Sequence, residues 1–254
     1  MDFIFASHTD IGLKKNTNQD SYTCKLAKIG SQKVLFSVLC DGMGGLEKGE
    51  VASSHLIKAF CEWFNTDFSS LVETGRFEDI EYQWNSIIQN QNIVISEYSQ
   101  KDGVQMGTTV VALLIYGNKY WFINVGDSRL YHIKKELNIL TEDQTLVALE
   151  VKKGNLTPEQ AEKDPRRSIL LQCVGASRYI EPQYATGTID KNEVMMLCSD
   201  GFRHKVSNEE IFNTFNPLVI NSKEEIKAAE INMVELNKQR KETDNITVIV
   251  IKTI

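Results

Sequence analysis

The sequence predicts an α+β protein in which antiparallel sheets are covered by helices. Strand-like runs follow one another as hairpins instead of alternating regularly with helices, and helical periodicities arrive in pairs between the strand blocks. A third observation concerns closure. Short acidic motifs sit at strand edges from Asn18-Gln19-Asp20 near one end to Asp244-Asn245-Ile246 near the other. A site shared by both requires residues 1–254 to close into a single domain.

Taken in order, residues 34–40 are an apolar run that ends on Asp41. Residues 48–65 place Ile57, Phe60, Cys61 and Phe64 on one helical stripe, and residues 77–100 form a second long helix. Residues 107–116 are rich in β-branched side chains and stop at Gly117-Asn118, a two-residue turn signal that makes residues 120–125 the return strand. Gly126-Asp127-Ser128-Arg129 interrupts the pattern before a further strand begins at Leu130-Tyr131-His132-Ile133. Residues 146–178 are polar and irregular around a short helix, with Thr157 as cap and Pro158 at the first helical position, and read as a surface flap beside the site. Another apolar run, residues 194–198, precedes Ser199-Asp200-Gly201. Ser207 caps a helix with acids in its first turn, and Ser222-Lys223-Glu224-Glu225 spells a capping box ahead of Ile226, Ala229, Met233 and Leu236. The last run, residues 246–251, is apolar on both faces, which puts it inside a sheet.

Composition excludes several classes. Hydrophobic residues make up 42% and charged residues 24% of the 254, a balance that supports a packed core and argues against disorder. The formal net charge is −6 with Lys and Arg scattered, which gives nucleic acid no electrostatic footing. The five cysteines, Cys24, Cys40, Cys61, Cys173 and Cys198, lack CxxC spacing and lie mostly in apolar stretches, so buried reduced thiols and a cytoplasmic setting are expected. No window reaches the roughly 20 apolar residues that a membrane span needs. Met1-Asp2-Phe3-Ile4-Phe5 also lacks the basic-then-apolar pattern of a secretion signal.

The chemistry resides in four motifs: Asn18-Gln19-Asp20, Asp41-Gly42-Met43-Gly44-Gly45, Ser199-Asp200-Gly201 and Asp244-Asn245-Ile246. Converging carboxylates repel one another unless cations sit between them. Carboxylate, carbonyl and water ligands select hard cations such as Mg2+ and Mn2+, whereas zinc prefers His or Cys, and neither clusters in this sequence.

Together and in their order, the motifs resemble those of the metal-dependent Ser/Thr protein phosphatases of type 2C, the PPM family, in their compact bacterial form. The series runs Gly12-Leu13-Lys14-Lys15-Asn16-Thr17-Asn18-Gln19-Asp20, Asp41-Gly42-Met43-Gly44-Gly45 with Gly49-Glu50-Val51-Ala52, then Gly107-Thr108-Thr109 and Gly126-Asp127-Ser128-Arg129. Leu140-Thr141-Glu142-Asp143, Cys198-Ser199-Asp200-Gly201 and Asp244-Asn245-Ile246-Thr247 complete it. The resemblance implies a four-layer α-β-β-α sandwich, two stacked antiparallel sheets flanked by helix pairs. It also implies a centre of two Mn2+ or Mg2+ ions between the sheets, and hydrolysis of phosphoserine and phosphothreonine by a water that the metals bridge and activate. On that pattern Asp41 bridges both metals, Asp200 and Asp244 hold the first, and Asp20 with the Gly42 carbonyl serves the second. Asp127 would join Asp200 in a third, weaker metal site near the flap; the other reading is an Asx-type turn at Asp127-Ser128. The partners implied are phosphorylated proteins, including a Ser/Thr kinase and its targets.

The chain departs from the family pattern at three points. Lys15 stands where the family has an arginine that grips the substrate phosphate, keeping the charge and losing the bidentate fork. Gln19 replaces a common glutamate, which removes one negative charge beside the metals. Met43 stands where animal relatives carry a histidine, so water would protonate the leaving seryl oxygen. His8, His55, His132 and His204 match no ligand motif and are expected to be structural or exposed. In the flap, Asp164-Pro165-Arg166-Arg167 offers basic residues to a phosphopeptide.

Rival readings lack their residues. A covalent nucleophile at Asp41 would call for a second aspartate where Met43 stands, and a P-loop or dinucleotide fold for a glycine spacing that is missing. A catalytically silent scaffold of the same fold, binding a phosphoprotein or regulatory partner, would be favoured by loss of metal aspartates; Asp20, Asp41, Asp200 and Asp244 are all present.

Overall fold

The structure, a computed structural model, describes residues 1–43 and 48–254. Gly44 and Gly45 of the second acidic motif lie outside the described residues. The chain begins with β1 (Phe3–Asp10), β2 (Asp20–Ile29) and β3 (Gln32–Asp41), followed by α1 (Gly49–Thr66), α2 (Phe68–Thr74) and α3 (Asp79–Asp102). Next come β4 (Val110–Tyr116), β5 (Lys119–Val125), β6 (Arg129–Ile133), β7 (Leu137–Ile139), α4 (Leu146–Lys152) and α5 (Pro158–Lys163). The last third holds β8 (Gln183–Thr188), β9 (Val194–Cys198), α6 (Asp200–Arg203), α7 (Asn208–Phe215), α8 (Lys223–Gln239) and β10 (Ile246–Thr253).

Two antiparallel sheets result, ordered β1-β10-β9-β6-β7 and β2-β3-β4-β5-β8. Side-chain alternation along the strands builds the layers. In β3, Val34, Phe36, Val38 and Cys40 pack with Leu56 and Phe60 of α1 and Trp84 and Ile88 of α3. The intervening Leu35 and Leu39 meet Leu197 of β9 and Ile249 and Ile251 of β10 across the sheet-to-sheet interface. On the far side, Met196, Val248 and Val250 pack with Phe215 of α7 and Ile226, Met233 and Val234 of α8. Each such side chain contributes about 1.5–3 kcal/mol by leaving water. The order helix, sheet, sheet, helix is the four-layer sandwich expected.

Most local signals take effect as read. β4 and β5 pair across Gly117-Asn118 with Tyr116 opposite Lys119, and β10 lies between β1 and β9. Thr157 and Ser207 both form complete capping boxes. Ser222 does half of this: its hydroxyl accepts from the Glu225 N–H at 3.1 Å, but the Glu225 carboxylate reaches one residue further back and accepts from the Asn221 N–H at 2.6 Å. The apolar stripe of α1 is rotated from the expected one. Ala52, Leu56, Phe60, Trp63 and Phe64 are buried, leaving Ile57 and Cys61 at its edge. Cys40, Cys173 and Cys198 are buried free thiols, whereas Cys24 and Cys61 are free and only partly buried. Residues 146–178 carry α4 and α5; a bridge from Thr145 to Leu170 closes the segment on itself, and one from Thr108 to Val174 ties it to the residues just before β4. Among the described residues, no helix is long and apolar enough to cross a membrane.

Candidate active site

Register brings the acidic motifs to one end of the sandwich. Asp20 opens β2 and Asp41 closes β3, and the two are direct cross-strand partners. In the other sheet, β9 ends at Cys198 just before Asp200, and β10 starts at Ile246 just after Asp244. A bond between the sheets joins the two ends: the Thr247 hydroxyl donates to Asp20 Oδ2 at 2.5 Å.

Backbone contacts then fix these side chains. Thr109 N–H donates to the Asp41 carbonyl at 2.9 Å, Thr108 Oγ1 donates to the same oxygen at 2.9 Å, and Asp41 N–H donates to Thr109 Oγ1 at 3.0 Å. Thr109 Oγ1 also lies 2.7 Å from Ser128 Oγ, so the Gly-Thr-Thr and Gly-Asp-Ser-Arg motifs hold Asp41 in place. Asn245 fastens the N-terminal motif to the C-terminal one. It donates to the carbonyls of Ile11 at 2.9 Å and Thr17 at 3.2 Å, and its Oδ1 accepts from Gln19 N–H at 2.9 Å. Gly42 is required by backbone crowding from the protein itself: a Cβ there would stand 2.5 Å from the Gly49 carbonyl oxygen and 2.6 Å from that of Gln19. A Cβ on Gly201 would likewise collide with the Asn245 carbonyl.

Charge is poorly compensated within this cluster. Burial pushes Asp20 up to about 7, against the Thr247 and Ser199 hydrogen bonds, and the Asp200 and Asp244 charges push it the same way. Burial also raises Asp41 well above the ordinary carboxylate range, reinforced by Asp20, Asp200, Asp127 and Asp244. Asp200 rises to about 6 through burial and the Asp244 charge, and lies within hydrogen-bond reach of Asp41. The second oxygen of Asp20, Oδ1, is buried with no partner among the described residues. Lys15 Nζ sits 2.7 Å from Asp244 Oδ1. Burial works against that ammonium, yet the Asp244 bond and the Asp41 and Asp200 charges hold its pKa above the usual lysine value. Among the described residues, no three His, Cys, Asp or Glu side chains are already arranged to hold a metal ion. The donor set, all carboxylate and carbonyl oxygen with one orphaned buried oxygen, fits a hard divalent cation.

A second group of charges adjoins the first. Asp127 turns its carboxylate toward Arg203, whose Nη2 lies 3.4 Å from Asp127 Oδ2 and donates to the Asp127 carbonyl at 3.0 Å. The same nitrogen stands 3.2 Å from Asp143 Oδ2, and Arg129 grips Asp143 through Nε and Nη2 at 2.8 Å each. Sequence reasoning missed Arg203, Asp143 as an ion-pair partner, and the Thr247 hydroxyl. His204, expected to be structural or exposed, is partly buried beside the cluster, 3.5 Å from Asp200 and 3.7 Å from Glu242, and burial lowers its pKa to about 4. His132 fits the structural expectation, paired with Glu193 at 2.7 Å. A cleft of about 1150 Å³ opens beside these groups, with Arg129, Arg203 and His204 on one wall and Val151, Lys163 and Arg167 of the flap on the other. Arg166 is tied back to Asp164 by bonds of 3.0 and 2.8 Å, which leaves Arg167 as the flap arginine lining the cleft.

Residues 9–236 match the family model described as Protein phosphatase 2C. A putative protein phosphatase 2C-type of Streptococcus pyogenes is 31% identical over 246 residues, covering 94% of this chain and 93% of its own length. The serine/threonine phosphatase of S. agalactiae matches with a TM-score of 0.86 at 30% identity, over 100% of both chains. The catalytic domain of the serine/threonine phosphatase PstP, solved in complex with two manganese ions, matches with a TM-score of 0.79 at 27% identity, over 99% of this chain and 98% of that one.

Proposed function

The chain belongs to the protein phosphatase 2C family, and from that premise we propose that it is a metal-dependent protein serine/threonine phosphatase. The observation that carries this reading is the buried, undercompensated cluster of Asp20, Asp41 and Asp200, drawn from three separate parts of the chain. Asp41, Asp200, Asp244, Asp20 and the Gly42 carbonyl would be the residues that hold two divalent ions, with Asp41 as the ligand shared between them. Bound Mn2+ or Mg2+ would supply Lewis acidity and a water of lowered pKa for in-line attack on phosphorus.

The remaining steps fall to the chain itself. Lys15, held at the cluster by Asp244, presents a permanent positive charge for the substrate phosphate. The cleft under the flap offers Lys163, Arg167 and Lys205 to the flanking phosphoprotein. Asp41 is kept at its station by the threonine pair on its backbone, so the cluster does not depend on the substrate for its arrangement. Residues 1–254 act in this reading as one phosphatase domain with a flap at about 146–178, in the cytoplasm, opposing a Ser/Thr kinase. Hydrolysis of p-nitrophenyl phosphate by the purified chain tests it. Turnover that depends on added Mn2+ is expected, and none from folded protein across a range of Mn2+ and pH would sink the proposal.

A further inference from the structure

The third metal site that the resemblance suggested needs Asp127 and Asp200 to share a cation, and the residues present do not fit it. Asp127 is 4% exposed, and its carboxylate and its carbonyl both face the Arg203 guanidinium. Arg203 closes the short helix α6 that Asp200 opens, so the residue that brings a carboxylate to this place brings a cation with it. Its charge is permanent, because a guanidinium does not lose its proton in proteins. Asp143 and Arg129 extend the arrangement into an alternating set of two carboxylates and two guanidinium groups whose formal charges cancel, with Asp200 as the like charge that still acts on Asp127. A divalent ion placed on Asp127 would meet that fixed positive charge at hydrogen-bond range in a buried setting, where like charges are screened least.

We propose that Arg203 is a built-in cation that takes the place of a third metal ion, so that this chain binds two divalent cations and Asp127 serves to hold Arg203. Asp200 and Arg203 then divide the labour of one helical turn. The carboxylate faces the two-ion cluster, and the guanidinium neutralises the acid on the flap side.

The inference rests on the two-cation reading given above and is tested by counting Mn2+ ions, using isothermal titration calorimetry on the intact chain and on Asp127→Asn and Arg203→Gln, each checked for a cooperative melt. Two ions per chain are expected for the wild type and for Asp127→Asn, and a third, weaker ion for Arg203→Gln. A third ion on the wild type that Asp127→Asn removes would overturn the inference, and that comparison needs nothing from the Arg203 variant. A folded Arg203→Gln that still binds only two would overturn it as well, since Arg203 would not then be what closes the site. Absence of any Mn2+ binding would defeat the underlying two-cation reading and so be distinguishable from either result.

Discussion

Asp143 is largely and Asp20 almost fully withdrawn from solvent, and they are pushed in opposite directions. Burial alone works against the Asp143 charge, but Arg203 and Arg129 hold its pKa below the usual carboxylate value. Asp20 has a hydroxyl and further carboxylates for company and rises to about 7. On the flap side Asp143 is held by two guanidinium groups, whereas Asp127, which has Arg203 but also faces the Asp200 charge, is pushed up by burial to about 7, as Asp20 is between the sheet ends. The same residue type is therefore held ionised where two guanidinium groups grip it and pushed toward its neutral form where burial and like charges outweigh its partners.

The largest expected effect separates the two sets by function. Asp41→Asn should abolish measurable turnover and weaken Mn2+ binding at least about 100-fold, the upper end of what losing a supporting group costs a metal site. The metal-free melting temperature should hold, or rise at alkaline pH, because the amide cannot acquire the charge that burial and the neighbouring carboxylates oppose at Asp41. Normal turnover in that variant would show that the centre lies elsewhere. Next in size, Arg129→Ala leaves Asp143 with Arg203 alone and should cost about 3 kcal/mol, near the lower end for breaking a buried pair. Thermal melts should show this as a fall of roughly 6–12 °C. A fall of only about 1–2 °C would reduce the network to the worth of surface pairs.

The contrast also sets a pH dependence. Asp20, Asp41 and Asp200 have folded pKa values raised above the unfolded value, so in this range the folded chain holds more protons than the unfolded one. Their contribution to the metal-free stability is then complete below about pH 4 and is lost as pH rises through about 6 to 7. Metal-free melting temperature should fall between about pH 5 and about pH 8, and saturating Mn2+ should flatten or reverse the slope by displacing those protons. A metal-free melting temperature that climbs over this range would contradict the assignment. The smallest effect belongs to Lys15→Arg, which restores a forked donor beside Asp244. Inhibition by inorganic phosphate should be equal or tighter, and a clear loss would remove Lys15 from the phosphate seat.

The layers were legible in the sequence because strand alternation and helix periodicity are local signals. Val34, Phe36 and Val38 on one face with Leu35 and Leu39 on the other can be read straight from the chain. The convergence of the four aspartates was legible through their motifs, and the structure adds the reason for the neighbouring residues: Asn245 staples the chain ends and the threonine pair anchors Asp41. The need for glycine at position 42 comes from tertiary packing, because the carbonyls of Gln19 and Gly49 leave no room for a Cβ. Arg203 was missed because its partner Asp127 is 76 residues away. The available clue was an arginine placed one turn after an acidic motif, where it shares a helix end with the carboxylate. His204, next in sequence, was hidden for the same reason, since its closeness to Glu242 is a product of tertiary packing.

The most direct test of the account is the rate of phosphate release from a phosphothreonine peptide as Mn2+ is titrated into the metal-free chain, with Asp41→Asn measured alongside. The account predicts no release without metal, saturable activation by Mn2+ in the wild type and none in the variant. Equal release with and without Mn2+, or activation that survives Asp41→Asn, would contradict it.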